Sequence, residues 1–130
     1  MPFPIEEKYI TKTESDLQLS FPKAFKTHMM HTNGGEIITD EWAFDLFPFL
    51  DTSCRKRISR TSNHIGLETK KAREWRGFPA NGIAIGSDGF GNLLILMHDG
   101  SGILTDDLYV WDHEMGTTKK IAASIQELME

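Results

Sequence analysis

Ile83-Ala84-Ile85-Gly86-Ser87-Asp88-Gly89-Phe90-Gly91-Asn92-Leu93-Leu94-Ile95-Leu96-Met97 sets two aliphatic, β-favouring runs on either side of a turn made of Ser, Asp, Gly and Asn around a single Phe. The stretch predicts a β-hairpin. Asp88-Gly89 and Gly91-Asn92 supply the positive φ values that a tight reversal needs, so Gly89 or Gly91 is expected in such a position, and the flanking aliphatics give the hairpin a face to bury. Further along, 106–114 reads as another strand in which Leu108, Val110 and Asp112 alternate with Tyr109, Trp111 and His113. Both sets are largely apolar, which predicts a strand covered on both sides.

Working outward, 36–39 and 42–47 have strand character, with Pro48 ending the second, and further strands are expected at 82–86, 92–98, 107–112 and 117–121. The helical signals are shorter. Thr13 is positioned to cap a helix starting at Glu14 with Leu17 inward, and Pro22 suits the first turn of a second helix. Phe21, Phe25 and Met29 recur every four residues on one face, until Asn33-Gly34-Gly35 stops the helix. Residues 65–75 carry helical spacing through Ile65, Ala72 and Trp75, and Ser124-Ile125-Gln126-Glu127 has the form of a capping box opening a short last helix. The polar, basic stretch 51–63 shows no assignable period. Trp42, Phe44, Trp75, Tyr109 and Trp111 sit within periodic elements, and most of them are expected in the core. Four Phe-Pro pairs punctuate the chain at irregular intervals without repeating flanks, so they mark breaks between elements, not repeats. Together these readings predict an α+β fold, a twisted and mainly antiparallel sheet with helices packed against it, in one domain spanning 1–130.

Four pieces occur in a distinctive order: Asn33-Gly34-Gly35 after the helical N-terminal part, Trp75-Arg76-Gly77-Phe78-Pro79, then Ile85-Gly86-Ser87-Asp88-Gly89-Phe90-Gly91-Asn92, and Val110-Trp111-Asp112-His113. In that order and spacing the chain, from about Ile10 onward, resembles the SUKH superfamily, whose founding member is a fungal regulator of cell-wall assembly. The resemblance implies a non-enzymatic protein-binding module. Most bacterial members are thought to be immunity proteins that neutralise toxins, many of them nucleases, and the family brings no catalytic motif to carry over. Two other readings stand beside it: an intracellular scaffold or regulatory module like the fungal relatives, and an enzyme of a type that the residues do not reveal.

Composition agrees with a small folded domain. At 130 residues with 39% hydrophobic and 10% aromatic content, the chain can bury one core unaided. Cys54 is its single cysteine, which excludes an intrachain disulfide and gives no sign of an oxidising compartment. The N-terminal residues lack the pattern of a signal peptide and no segment has the length of a membrane span, so a cytoplasmic location is expected.

The net charge of −5 conceals a division. Residues 55–76 hold eight of the fourteen Lys and Arg against Glu68 and Glu74, a balance of +6, which leaves six cations against seventeen acids, −11, elsewhere. One acidic group in sequence comprises Glu36, Asp40, Glu41, Asp45 and Asp51, another Asp99, Asp106, Asp107, Asp112 and Glu114. An acidic surface steers a basic protein toward it. The candidate partner-binding residues are accordingly Asp106, Asp107, Asp112 and Glu114, then Asp40, Glu41 and Asp45, and the expected partner is a basic toxin domain.

The remaining chemistry-bearing residues have plainer explanations. Gly86, Gly89 and Gly91 reverse the dinucleotide fingerprint, no phosphate-loop Lys follows, and a hairpin turn accounts for them. Asp88 and Asn92 lack the alternating carboxylates of a calcium loop. His28, His31, His113 and Cys54 make no zinc-ligand set, so neither metal nor cofactor is expected, and His31 suits the last turn of its helix. Cys54 precedes Arg55-Lys56-Arg57, which can activate a thiol, yet no positioned base or family motif accompanies it. The basic runs 55–60 and 70–76 come without a recognition helix or stacking motif, which argues against nucleic acid.

Overall fold

The computed structural model describes residues 3–128. The elements follow in the order α1 (Glu7–Leu17), α2 (Lys23–His31), β1 (Gly35–Ile38), β2 (Ala43–Leu46), α3 (Arg55–Arg60), α4 (Ile65–Ala72), β3 (Gly82–Ser87), β4 (Leu93–Met97), β5 (Leu108–Asp112), β6 (Thr117–Ala122) and α5 (Ile125–Leu128). The six strands form one sheet in chain order, and every neighbouring pair is antiparallel. The expected α+β architecture is the one observed.

Register explains why the aliphatic runs sort as they do. Ile37 pairs with Phe44, and Leu46, Gly86, Leu94 and Val110 form a row across four strands. Side chains paired across strands share a face. This face joins Ile10 of α1, Phe25 and Met29 of α2, and Ile125 of α5 in the main core. Phe21, just before α2, adds an aromatic corner there, with ring centroids 5.6 Å from Phe25 and 5.1 Å from Phe49. The opposite face carries a second row, Glu36, Asp45, Ser87, Leu93, Trp111 and Thr118. Its apolar middle needs a separate cover.

The segment between β2 and β3 provides that cover and closes the sheet's polar gap. β2 pairs with β3 only at Asp45 and Leu46, and the chain then turns away at Pro48. Ala84 N–H is left without a strand partner on that side and donates instead to Thr69 Oγ1 of α4 at 2.9 Å, on a fully buried threonine. Asn33 works in the same way. Beyond ending α2, its side chain accepts from Phe49 N at 2.8 Å and donates to Phe49 O at 2.9 Å, satisfying both polar groups of a buried residue.

Several local expectations change. α1 starts at Glu7, not Glu14, and Thr13 lies buried within it with Oγ1 donating to Tyr9 O at 3.2 Å; the residue read as a cap is a back-bonded helix interior threonine. Pro22 is the N-cap residue of α2, one position before its first turn. α4 ends at Ala72, and Trp75 lies beyond it and 52% exposed, so the expected core role is wrong for this tryptophan. Because the helix ends before it, Trp75 is carried onto the outer face of the sheet, edge-on to Trp111, with its far side open. The unassigned basic stretch contains α3, a helix that buries none of its residues. It is pinned by polar contacts, which leave no hydrophobic period: Thr61 Oγ1 donates to Arg57 O and accepts from Asp51 N, while Asp51 Oδ2 pairs with Arg57 Nη1 at 3.4 Å. Asp51 is therefore 1% exposed and is no part of an acidic surface. The last helix opens as expected, with Ser124 Oγ accepting from Glu127 N and Glu127 Oε2 accepting from Ala123 N.

Candidate protein-binding surface

Three segments meet over the outer face of the sheet. The β3–β4 turn is held by its own side chains: Asp88 Oδ1 accepts from Phe90 N at 2.8 Å and Asn92 N at 3.2 Å, Asp88 Oδ2 accepts from Asn92 Nδ2 at 2.9 Å, and Ser87 Oγ accepts from Gly89 N at 3.0 Å. Gly89 and Gly91 have φ of 81° and 99°, as the turn chemistry requires. The β5–β6 turn is organised by Asp112, whose Oδ1 accepts from Glu114 N at 2.9 Å and Met115 N at 3.2 Å. The third segment, 73–79, crosses Trp111: Gly77 O accepts from Trp111 Nε1 at 3.1 Å, and the rings of Phe78 and Trp75 stand edge-on to Trp111 at 5.3 and 6.2 Å.

His113 locks the three together. Its ring occupies the space beside Gly91 so closely that a Cβ there would lie 2.6 Å from Nδ1 and Cε1. It also stands edge-on to Trp75 at 6.1 Å and has Nδ1 3.4 Å from Asn92 Oδ1. The outcome is a stapled platform from which Trp75, Phe90 and Met115 project, 52%, 83% and 73% exposed. Exposed aromatic and Met side chains on a rigid support are the composition of an interface centre. Phe90 was legible as an oddity, an aromatic in a turn too polar and tight to bury it. Trp75 was not, because periodicity carried it into the helix.

Beside the platform opens a cleft of ≈ 230 Å³ lined by Phe47, Glu68, Lys71, Trp75, Leu93 and Trp111, among others. A second, wider cleft of ≈ 380 Å³ lies between the β1–β2 turn and β6, with Asp40 and Glu41 among its lining residues together with Lys119 and Lys120.

The acidic candidates are distributed unevenly. Asp106 and Glu114 are exposed, Asp107 pairs with Lys120 at 3.1 Å, and Asp112 spends one carboxylate oxygen on its turn. Lys120 has its pKa raised by the hydrogen bond and charge of Asp107. Asp40, Glu41 and Asp45 are exposed, but the first two share their cleft with the β6 lysines. Lys120, paired with Asp107 and lining the cleft with Asp40 and Glu41, thus stands between members of the two groups. Arg55, Lys56 and Arg60 are exposed on α3, where Lys56, Arg57 and Arg60 lie within 4.7–5.6 Å of the Phe3 ring centre. Cys54 is exposed at the start of that helix. Among the described residues, no three His, Cys, Asp or Glu are grouped to hold a metal, and no helix is long and apolar enough to cross a membrane.

Three of the four pieces that carry the sequence resemblance build this platform, and the fourth, through Asn33, fastens α2 to the strand of chain leaving β2. A family model, the SMI1 / KNR4 family (SUKH-1), matches residues 4–130, nearly the whole chain. The chain belongs to the SMI1 / KNR4 (SUKH-1) family. No curated protein matches it. Within this SUKH-1 chain the pieces depend on one another, since Gly91 leaves room for the His113 ring and Gly77 O accepts from Trp111 Nε1.

Proposed function

We propose that this chain is a non-enzymatic protein-binding module, an immunity protein that binds a basic, nuclease-type toxin in the cytoplasm and neutralises it by occluding or distorting it. One observation carries the reading: the segments 75–79, 85–92 and 110–113 converge on a braced platform that leaves Trp75, Phe90 and Met115 52%, 83% and 73% exposed. Membership of the SUKH-1 family, whose domains act generally as immunity or regulatory modules, supports it. The acids act at longer range. Asp106, Glu114, Asp40, Glu41 and Asp45, with Asp107 and Asp112 partly engaged within the fold, steer a basic partner toward the platform.

Co-purification from the native host followed by mass spectrometry tests the reading, with a captured basic toxin as the expected result. With the partner in hand, Asp106→Asn combined with Asp107→Asn slows association, and added salt shrinks the difference from the parent. Trp75→Ala and Phe90→Ala speed dissociation instead, as loss of central contacts does. Loss of binding confined to an Arg55→Ala, Lys56→Ala control would move the interface to the basic segment and end the acidic-steering proposal.

A further inference from the structure

We propose that the cleft between α4 and the outer face of the sheet receives one arginine or lysine side chain of the partner protein, its cationic group on Glu68 Oε2 and its stem against Trp75, Trp111 and Leu93. The inference rests on the protein-binding reading above and adds the kind of residue the partner presents.

Glu68 supplies the motive. Its Oε2 is buried and has no hydrogen-bond partner, although Lys71 Nζ lies 3.3 Å away. The two form an ion pair without a hydrogen bond, and Lys71, its side chain 63% exposed, is free to swing aside. A buried acceptor left unmade is costly and calls for a donor from outside. The walls decide which donor. Phe47, Trp75, Leu93 and Trp111 make the cleft apolar and aromatic, and Glu68 is its one acid. Ring π-faces and a carboxylate both attract a cation, whereas an anion meets the carboxylate. Arg and Lys carry apolar stems that match such walls while the charged head finds its partner.

Size limits the occupant further. At ≈ 230 Å³ the cleft falls below the roughly 300–1,000 Å³ of small-molecule pockets and suits a single side chain. Trp75, which walls the cleft, also stands on the platform, so a side chain entering here would be ringed by contacts that exclude water. Arg73 and Arg76 lie outside the lining, and as solvent-exposed charges they are screened by salt more than a contact made within the cleft.

The test needs no partner. Nα-acetyl-arginine amide and its uncharged isostere Nα-acetyl-citrulline amide are titrated into the full chain, and the indole N–H resonances of Trp75 and Trp111 are followed by NMR. The arginine probe is expected to shift both at millimolar concentrations and to bind at least about fivefold more tightly than the citrulline probe, the size of one modest ion pair. Glu68→Gln should remove that preference, and Lys71→Ala should strengthen arginine binding by removing a competing cation. Equal binding of the two probes, no arginine-dependent shift, or weaker arginine binding by Lys71→Ala would each overturn the proposal. Should Glu68→Gln fail to fold, the probe pair and Lys71→Ala still decide the matter. A failure here would strip the cleft of its occupant and leave the protein-binding reading standing, whereas failure to capture any protein from the host would count against that reading while the probes still report whether the cleft prefers arginine.

Discussion

Substituting alanine at Gly89 and at Gly91 separates backbone strain from side-chain collision within one turn. Both residues have positive φ, 81° and 99°, which an L side chain occupies at a cost of about 1–3 kcal/mol, offset by roughly 0.5 kcal/mol because alanine orders more cheaply than glycine. Around Gly89 nothing lies within 4 Å of the added Cβ, so Gly89→Ala should cost only that difference, about 1 kcal/mol. At Gly91 the Cβ would sit 2.6 Å from two atoms of the His113 ring and 2.9 Å from a third, closer than real contacts come. The ring has to move by nearly 1 Å to restore ordinary contact. That movement gives up its approach to Asn92 Oδ1 and its edge-on contact with Trp75, an aromatic contact worth about 0.5–1.5 kcal/mol. Gly91→Ala should therefore cost about 2–4 kcal/mol. Urea denaturation monitored by tryptophan fluorescence reads both values, and a chain of this size should lose about 3–5 °C of Tm per kcal/mol. The decisive variant is Gly91→Ala in a His113→Ala background, where about 1–2 kcal/mol of the Gly91 cost should disappear as coupling between the two sites. Equal costs at Gly89 and Gly91, or no recovery without the imidazole, would refute the argument that His113 clamps the hairpin to the platform.

Three further outcomes follow from polar contacts within the fold. Asn33→Ala strands the N–H and C=O of Phe49 in the core and should cost about 2–5 kcal/mol in denaturant unfolding, with Asn33→Asp failing to rescue because it cannot donate to the carbonyl. Thr69→Val keeps the shape but removes the acceptor for Ala84 N and should cost about 1–3 kcal/mol, read as faster hydrogen exchange at Ala84 alongside a lower unfolding midpoint. Burial lowers the pKa values of His28 and His64 from the usual 6.5, opposed at His28 by a hydrogen bond with Gly34 and at His64 by the charges of Glu68 and Asp16. The unfolded chain then binds more protons in this range, so the stability from the neutral imidazoles is intact above about pH 6.5 and falls as pH drops through the folded values. His64 accepts from Leu67 N at the start of α4, so His64→Asn, which retains an acceptor, should flatten the decline between pH 7 and 5 when melting is followed across that range; an unchanged slope would remove His64 as its source.

Much of the fold was written locally. The hairpin at β3–β4, the strands β5 and β6, the arrest of α2 at Asn33 and the capping box of α5 all rest on turn chemistry and side-chain period, which act between neighbours in sequence. Trp75 and Asp51 show where that ends. A tryptophan at helical spacing and an aspartate beside other acids read as core and surface, yet the first is exposed and the second buried, because burial is decided by which distant segment arrives to cover a residue. α3 escaped for the related reason that contacts from Asp51 and Thr61 hold it without any apolar stripe. The acids could be counted from the sequence, but not their setting: Lys120 comes between members of the two groups only through the pairing of β6 with β5 and the approach of the β1–β2 turn. Composition and local pattern thus determined the elements and the presence of a sheet with a face to bury. Only the tertiary structure brought Trp75, Phe90 and Met115 onto one platform and left Glu68 facing an open cleft, since those placements depend on contacts between residues far apart in the chain.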